Sequence, residues 1–253
     1  MIDVAVLLLA GLAAGALNAV GGGGTFVALP ALVAVGLSPV TANAATTVAL
    51  VPAALLSAWV YRRAIVPVGT TSTVALTVMS VLGGGLGVAL LLVLPSSSFD
   101  AAVPWLLGFA TVVLAFGRRV SGRLVAWRGR PVGLGVGAVL AGQFVLAVYG
   151  GYFGGAVGIL MLALWGIGLG LDTAVSNPMR VAQLAAVYLT ATVAFLVASD
   201  VLADPGPPAL VLVGALAGGH AGAHLARRLP GRVLRGAVLG TAVTMTVLYA
   251  IHG

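Results

Sequence analysis

The chain has 253 residues, 61% hydrophobic and 7% charged, with a net charge of +7, no cysteine and a mean hydropathy of +1.19. A soluble domain carries about 25% charged residues, so this composition excludes a soluble globular protein and leaves an integral membrane protein with no soluble domain. All 12 basic residues are arginine and most cluster in short loops, which is how a membrane protein marks its cytoplasmic face and not the footprint of nucleic-acid binding; the missing cysteine excludes disulfides, thiol catalysis and cysteine metal sites.

Long continuous apolar runs, without the short alternating segments of a barrel, predict helices. They fall at about 2–20, 24–36, 40–61, 66–94, 101–117, 131–149, 153–170, 173–198, 207–226 and 233–251. The expected fold is therefore an all-α integral membrane protein of about 8–10 transmembrane or broken, re-entrant helices. Met1-Ile2-Asp3 lacks the basic start of a signal peptide, so the first run is read as a retained span. It ends in four glycines, Gly21 to Gly24. Glycine costs roughly 1 kcal/mol against alanine inside a helix, so the run predicts a break. The short second segment cannot cross a hydrocarbon core of about 30 Å at about 1.5 Å per residue.

Arg62 and Arg63 follow the third segment. Arg118, Arg119, Arg123, Arg128 and Arg130 lie between the fifth and sixth, and Arg227, Arg228, Arg232 and Arg235 between the ninth and tenth. Alternating spans place all three clusters in the cytoplasm, with both termini, Asp100, Asp200 and Asp204 outside. The predicted organisation is an N-terminal membrane repeat over 1–117, an Arg-rich cytoplasmic linker over 118–130 and a C-terminal repeat over 131–253. The sixth and seventh segments carry a second break, Tyr149-Gly150-Gly151-Tyr152-Phe153-Gly154-Gly155. Asn43 and Asn177 are 134 residues apart, and at that offset Gly21 meets Gly155, Gly36 meets Gly170, and Gly84 and Gly85 meet Gly218 and Gly219. The Arg62–Arg63 loop then corresponds to the Asp200–Asp204 loop, and the Asp100 loop to Arg227–Arg235. Two five-segment repeats of opposite orientation follow, the plan of secondary transporters, whose sites lie at paired breaks.

The first break with Pro30 and Gly36, then Ala42-Asn43-Ala44-Ala45-Thr46-Thr47, then Tyr61-Arg62-Arg63, with a duplicated layout in the second half, resembles the TauE/SafE sulfite exporter family over essentially the whole chain. The resemblance implies a multi-pass permease of the bacterial inner membrane that moves sulfite, organosulfonates or related small anions. Asn177-Pro178-Met179-Arg180 departs from the Ala/Thr/Ser stretch usual there.

Arg180 is the one arginine outside the loop clusters, and Asn177, Arg180 and Gln183 share a helix face with Tyr188 nearby. Its planar fork of donors suits an oxyanion; the alternatives are a side chain snorkelling to the interface or pairing with Asp172. The matching residues of the first half are Asn43 and Thr46, with Thr47 beside them. Backbone N–H groups at Gly22, Gly23, Gly24, Gly154 and Gly155 complete the candidate substrate site, because broken helix starts bind anions. Asn18, Tyr149 and Tyr152 offer either donors or packing. His220, four residues from His224, is the candidate coupling group. No catalytic cluster, metal or cofactor is expected, and the chain does not read as an enzyme. The expected partners are a small anion and the lipid bilayer, without nucleic acid, and a homodimer stays open. The alternative functions are transport of another oxyanion or a carboxylate, or service as a non-catalytic membrane subunit.

Overall fold

The computed structural model describes residues 2–20, 23–128 and 132–226. Gly22, the cluster Arg227–Arg235 and the expected tenth segment lie outside them. The described residues form helices α1 (Ile2–Val20), α2 (Thr25–Ala34), α3 (Pro39–Tyr61), α4 (Thr73–Val93), α5 (Ser96–Arg128), α6 (Val136–Tyr152), α7 (Val157–Leu169), α8 (Thr173–Ala198) and α9 (Gly206–Ala226), with a 3-10 turn at Arg62–Ala64. None of the described residues belongs to a β-strand. α3 with its 3-10 extension, α4, and Val175–Ala198 of α8 are long and apolar enough to cross a membrane. The protein is thus an all-α membrane protein.

Local chemistry sets the ends of these helices. Ser38 Oγ accepts a hydrogen bond from Thr41 N at 3.2 Å, and Pro39 opens α3 with its φ already helical. Gly36 and Gly170, 134 residues apart, close α2 and α7 at φ +101° and +69°, a conformation that favours glycine. The expected fourth segment begins later than composition suggested, because 65–72 form a turn with a bridge between Val68 and Thr71. The fifth runs further: α5 continues through Arg118, Arg119 and Arg123 to Arg128. Its 33 residues make it about 50 Å long, more than a bilayer core of about 30 Å. The arginines on the stretch read as a linker are therefore helical up to Arg128. The second segment is the 10-residue α2, about 15 Å long, as its shortness required.

The most extensive helix pairings are α1 with α9 and α4 with α6, followed by α3 with α8 and α4 with α8. Lipid tails are as apolar as leucine, so membrane helices gain by approaching closely through small residues. A Cβ on Gly15 would run into the Ala215 carbonyl, and one on Gly218 into that of Leu12. On the other side, a Cβ on Gly83 would sit 2.6 Å from the Phe144 carbonyl oxygen, and Gly151 backs onto Gly84. At the 134-residue offset the starts of α1 to α4 fall on 136, 159, 173 and 207, while α6 to α9 begin at 136, 157, 173 and 206. At that offset α1 corresponds to α6 and α4 to α9, and the two most extensive pairings are α1 with α9 and α6 with α4.

Candidate functional site

Gly23 and Gly24 at the first break, and Gly150, Gly151 and residues 153–156 at the second, are buried. At the first, Gly23 and Gly24 lead into α2, with Phe26 N bonded to Gly23 O at 3.2 Å and Val27 N to Gly24 O at 3.1 Å. A Cβ on Gly24 would meet the Ala14 carbonyl oxygen at 2.6 Å, so glycine lets α2 turn tightly against α1. At the second, α6 stops at Tyr152, Gly154 takes φ +80°, and Ala156 takes φ +57° as the residue before α7. A left-handed alanine costs roughly 1–2 kcal/mol, so surrounding contacts hold this turn against its preference. A Cβ on Gly155 would press into the Phe153 ring.

The breaks meet at one side chain. Tyr188, buried on α8, donates its hydroxyl to Gly154 O at 3.1 Å and lies 3.5 Å from Oγ1 of Thr25, the first residue of α2. From α3, Asn43 Nδ2 donates to Tyr152 O at 3.0 Å and holds the end of α6. Asn43 Oδ1, Thr46 Oγ1 and Asn18 Oδ1 are buried without hydrogen-bond partners. Thr47 is committed locally, since its hydroxyl donates to the Asn43 carbonyl at 3.1 Å. Tyr149 packs with Phe109 and Phe153, and Tyr152 with Phe99 at 5.6 Å between ring centres. These tyrosines wall the second break with aromatic contacts.

Arg180 is 1% exposed, which removes the snorkelling alternative. Its Nε donates to Asn177 Oδ1 at 2.9 Å, one turn back on α8. Its Nη1 has no hydrogen-bond partner. The side chain crosses Gly158 in the first turn of α7, where a Cβ would stand 2.9 Å from Nη1 and 3.1 Å from Cδ. The first bonds of α7 run from Ile159 N and Leu160 N to Ala156 O, so the N–H groups of Val157 and Gly158 precede its internal ladder. A guanidinium and the positive end of a helix thus share one buried place. The five aspartates, Asp3, Asp100, Asp172, Asp200 and Asp204, are exposed, and Asp172 is eight residues, about 12 Å, from Arg180 along α8. A buried charge costs several kcal/mol unless it is paired and hydrogen-bonded. Here Nη1 is left without a hydrogen-bond partner.

Gln183 is on the expected face but is already engaged. Its Nε2 donates to Thr77 Oγ1 at 3.2 Å and contacts Met179 Sδ, while its Oε1 accepts from Ser80 Oγ at 2.9 Å. Ser80 Oγ in turn accepts from Gln143 Nε2 at 2.8 Å. This chain of polar groups through α6, α4 and α8 escaped the sequence reading. Its signal was present: Gln143 interrupts the apolar run of α6, and Thr77 and Ser80 lie three apart on one face of α4. His220 lies exposed on α9 and does not join the buried group. Among the described residues, no three His, Asp or Glu side chains gather as a metal would need.

A family model described as "Sulfite exporter TauE/SafE" matches residues 7–249. No curated protein and no solved structure matches the chain.

Proposed function

The chain belongs to the TauE/SafE sulfite exporter family, a family of membrane transporters and not of enzymes, and from that premise we propose that it exports sulfite or an organosulfonate with Arg180 as the anion's counter-charge. The observation that carries the reading is the buried guanidinium with Nη1 open, lying over the first turn of α7. An oxyanion there gains a charge-assisted hydrogen bond from Arg180, N–H donors from the α7 start and the positive end of its dipole. Thr46 and Asn43, buried with open oxygens at the corresponding positions of the other half, line the neutral wall.

Transport follows by alternating access between two halves of opposite orientation. Supporting this reading are the matching helix starts at the 134-residue offset and the exchange of first and fourth helices between halves. At their glycines the contacts of α1 with α9 and α4 with α6 set backbone against backbone, which suits one bundle rocking against the other. The bacterial inner membrane, with several spans and cytoplasmic arginine loops, is the matching location.

The test is sulfite efflux from proteoliposomes containing Arg180→Met. Methionine keeps most of the side-chain volume and removes the desolvation cost of a buried charge, which offsets the bond lost to Asn177. Flux should fall at least about tenfold, the loss of one charge-assisted hydrogen bond, with thermal unfolding at or above that of the native chain. Undiminished flux would remove Arg180 from the path.

A further inference from the structure

We infer that this site takes a singly charged oxyanion that keeps a hydroxyl, hydrogensulfite among the sulfur oxyanions, with Gln143 Oε1 accepting that hydroxyl's proton; the inference rests on Arg180 being the anion's counter-charge. Thr77 Oγ1 lies 2.9 Å from the Thr73 carbonyl, an acceptor, so the single hydroxyl proton of Thr77 points there. Thr77 must then accept from Gln183, which turns the Gln183 amide nitrogen toward Thr77 and its oxygen toward Ser80. The Ser80 proton goes to that oxygen, so Ser80 accepts from the Gln143 amide nitrogen. Proton counting therefore fixes the orientation of both amides, and the sulfur contacts of Met179 and Met161 fall on the nitrogen side, as they should. Gln143 Oε1 is left over: the residue is 0% exposed and this oxygen has no partner.

The open acceptor and the open donor belong to residues that border the same turns of α7, Gln143 at Met161 and Arg180 at Gly158. Gln143 Nε2 is 3.7 Å from Met161 Sδ, and Arg180 crosses Gly158. Gly158 and Met161 are three residues apart on α7 and share a face, about 5–6 Å from one another. Ser80 and Gln183 tie Gln143 to α8 one turn beyond Arg180. A ligand between them meets one donor cation and one acceptor. A fully deprotonated oxyanion has only acceptors to offer, so it would leave Oε1 bare and bring a second negative charge against a single buried positive one. A monoanion with a hydroxyl matches both the charge and the hydrogen bonds.

The elements packed around this place are α3, α4, α5, α6, α7, α8 and the 3-10 turn. Their titratable groups are Tyr61, Arg62, Arg63, Asp100, Arg118, Arg119, Arg123, Arg128, Tyr149, Tyr152, Asp172, Arg180 and Tyr188. They include no histidine, and both carboxylates are exposed, so a pH dependence near neutrality reports the proton of the anion.

The experiment is thermal stabilisation of the purified full chain by sulfite and by methanesulfonate, a monoanion without a hydroxyl. It runs from the pH where hydrogensulfite predominates to the pH where the dianion does. The apparent Kd for total sulfite should rise about tenfold per pH unit once the dianion predominates. Methanesulfonate should bind at least about tenfold more weakly, with no pH dependence, because a site built for a hydroxyl rejects the analogue that lacks it. Gln143→Leu should reduce sulfite binding to the methanesulfonate level and leave methanesulfonate unchanged, its retained binding also showing that the variant folds. Sulfite binding that is flat or tighter at high pH overturns the inference without any variant, as does Gln143→Leu binding sulfite like the native chain. Arg180→Met that still binds sulfite overturns the counter-charge assignment and this inference with it. Binding that needs Arg180 but neither low pH nor Gln143 overturns the proton requirement alone.

Discussion

An arginine that is 1% exposed has given up its hydration, and in a membrane interior that is tolerated where a partner or a cavity takes its place. Arg180 recovers one hydrogen bond from Asn177, while its Nη1 is held open above a residue with no side chain. Gly158 is thus the space in which the guanidinium lies. Gly158→Ala tests that relation. Alanine is favoured over glycine in a helix by roughly 1 kcal/mol, but its Cβ would stand 2.9 Å from Nη1 and push the guanidinium off its position. Thermal unfolding should hold or improve while sulfite affinity weakens about tenfold or more, since small misplacements of a positioning group are costly. Unchanged affinity in a sulfite titration would show that the guanidinium's place over Gly158 is incidental. Arg180 was visible in the sequence because it is the one arginine outside the loop clusters; that its Nη1 is open could be learned only from what surrounds it. Gln183 shows the reverse. Its spacing placed it on the same face, yet Thr77, Ser80 and Met179 take up its amide.

At the scale of the element, glycine has two different jobs in this chain. Gly36, Gly154 and Gly170 take positive φ at helix ends, where the backbone conformation is the requirement. Gly15, Gly83, Gly151 and Gly218 are helical and serve approach, because a Cβ there would enter a neighbouring backbone. Substituting alanine at Gly15 or Gly151 should therefore cost about 1–3 kcal/mol through forced separation of α1 from α9 or α4 from α6. Gly137→Ala, with nothing within 4 Å of the new Cβ, should be neutral or slightly stabilising. Thermal unfolding in detergent of the three variants separates the cases, and equal effects would sink the close-approach account. Spacing alone marks such glycines as small-residue positions. It does not say which neighbour each meets, because that depends on helices far apart in sequence, such as α1 and α9.

At the scale of the molecule, the open question is orientation. The loop after α3 and the loop after α8 correspond at the 134-residue offset, one bearing Arg62 and Arg63 and the other Asp200 and Asp204. In repeats of opposite orientation they lie on opposite sides of the membrane. The chain contains no cysteine, so single cysteines can be introduced on a clean background. Val66→Cys and Leu202→Cys replace exposed residues in the two loops. In intact cells a membrane-impermeant maleimide should label Leu202→Cys directly and Val66→Cys only after permeabilisation. Labelling of both from one side would refute the inverted arrangement and the alternating-access reading built on it.

The amino-acid sequence by itself determined that this is a helical membrane protein, because hydrophobicity over helix-length runs and the scarcity of charge are local, additive properties. It also determined that helices break near the two glycine clusters, because glycine weakens the helix in its own backbone, although Gly150 and Gly151 stay within α6. It placed the end of the fifth helix too early, since arginines are good helix formers and α5 carries them on to Arg128. The tertiary structure decided which polar atoms are satisfied. Tyr188 bridges Thr25 and Gly154, Asn43 holds Tyr152, and Gln143, Ser80, Gln183 and Thr77 close on one another across three helices. What remains open, Arg180 Nη1, Gln143 Oε1, Asn43 Oδ1 and Thr46 Oγ1 among them, is a property of partners and not of residues. A hydrogen-bonding group is satisfied or orphaned only by what the fold brings within about 3 Å of it, and no reading along the chain measures that distance.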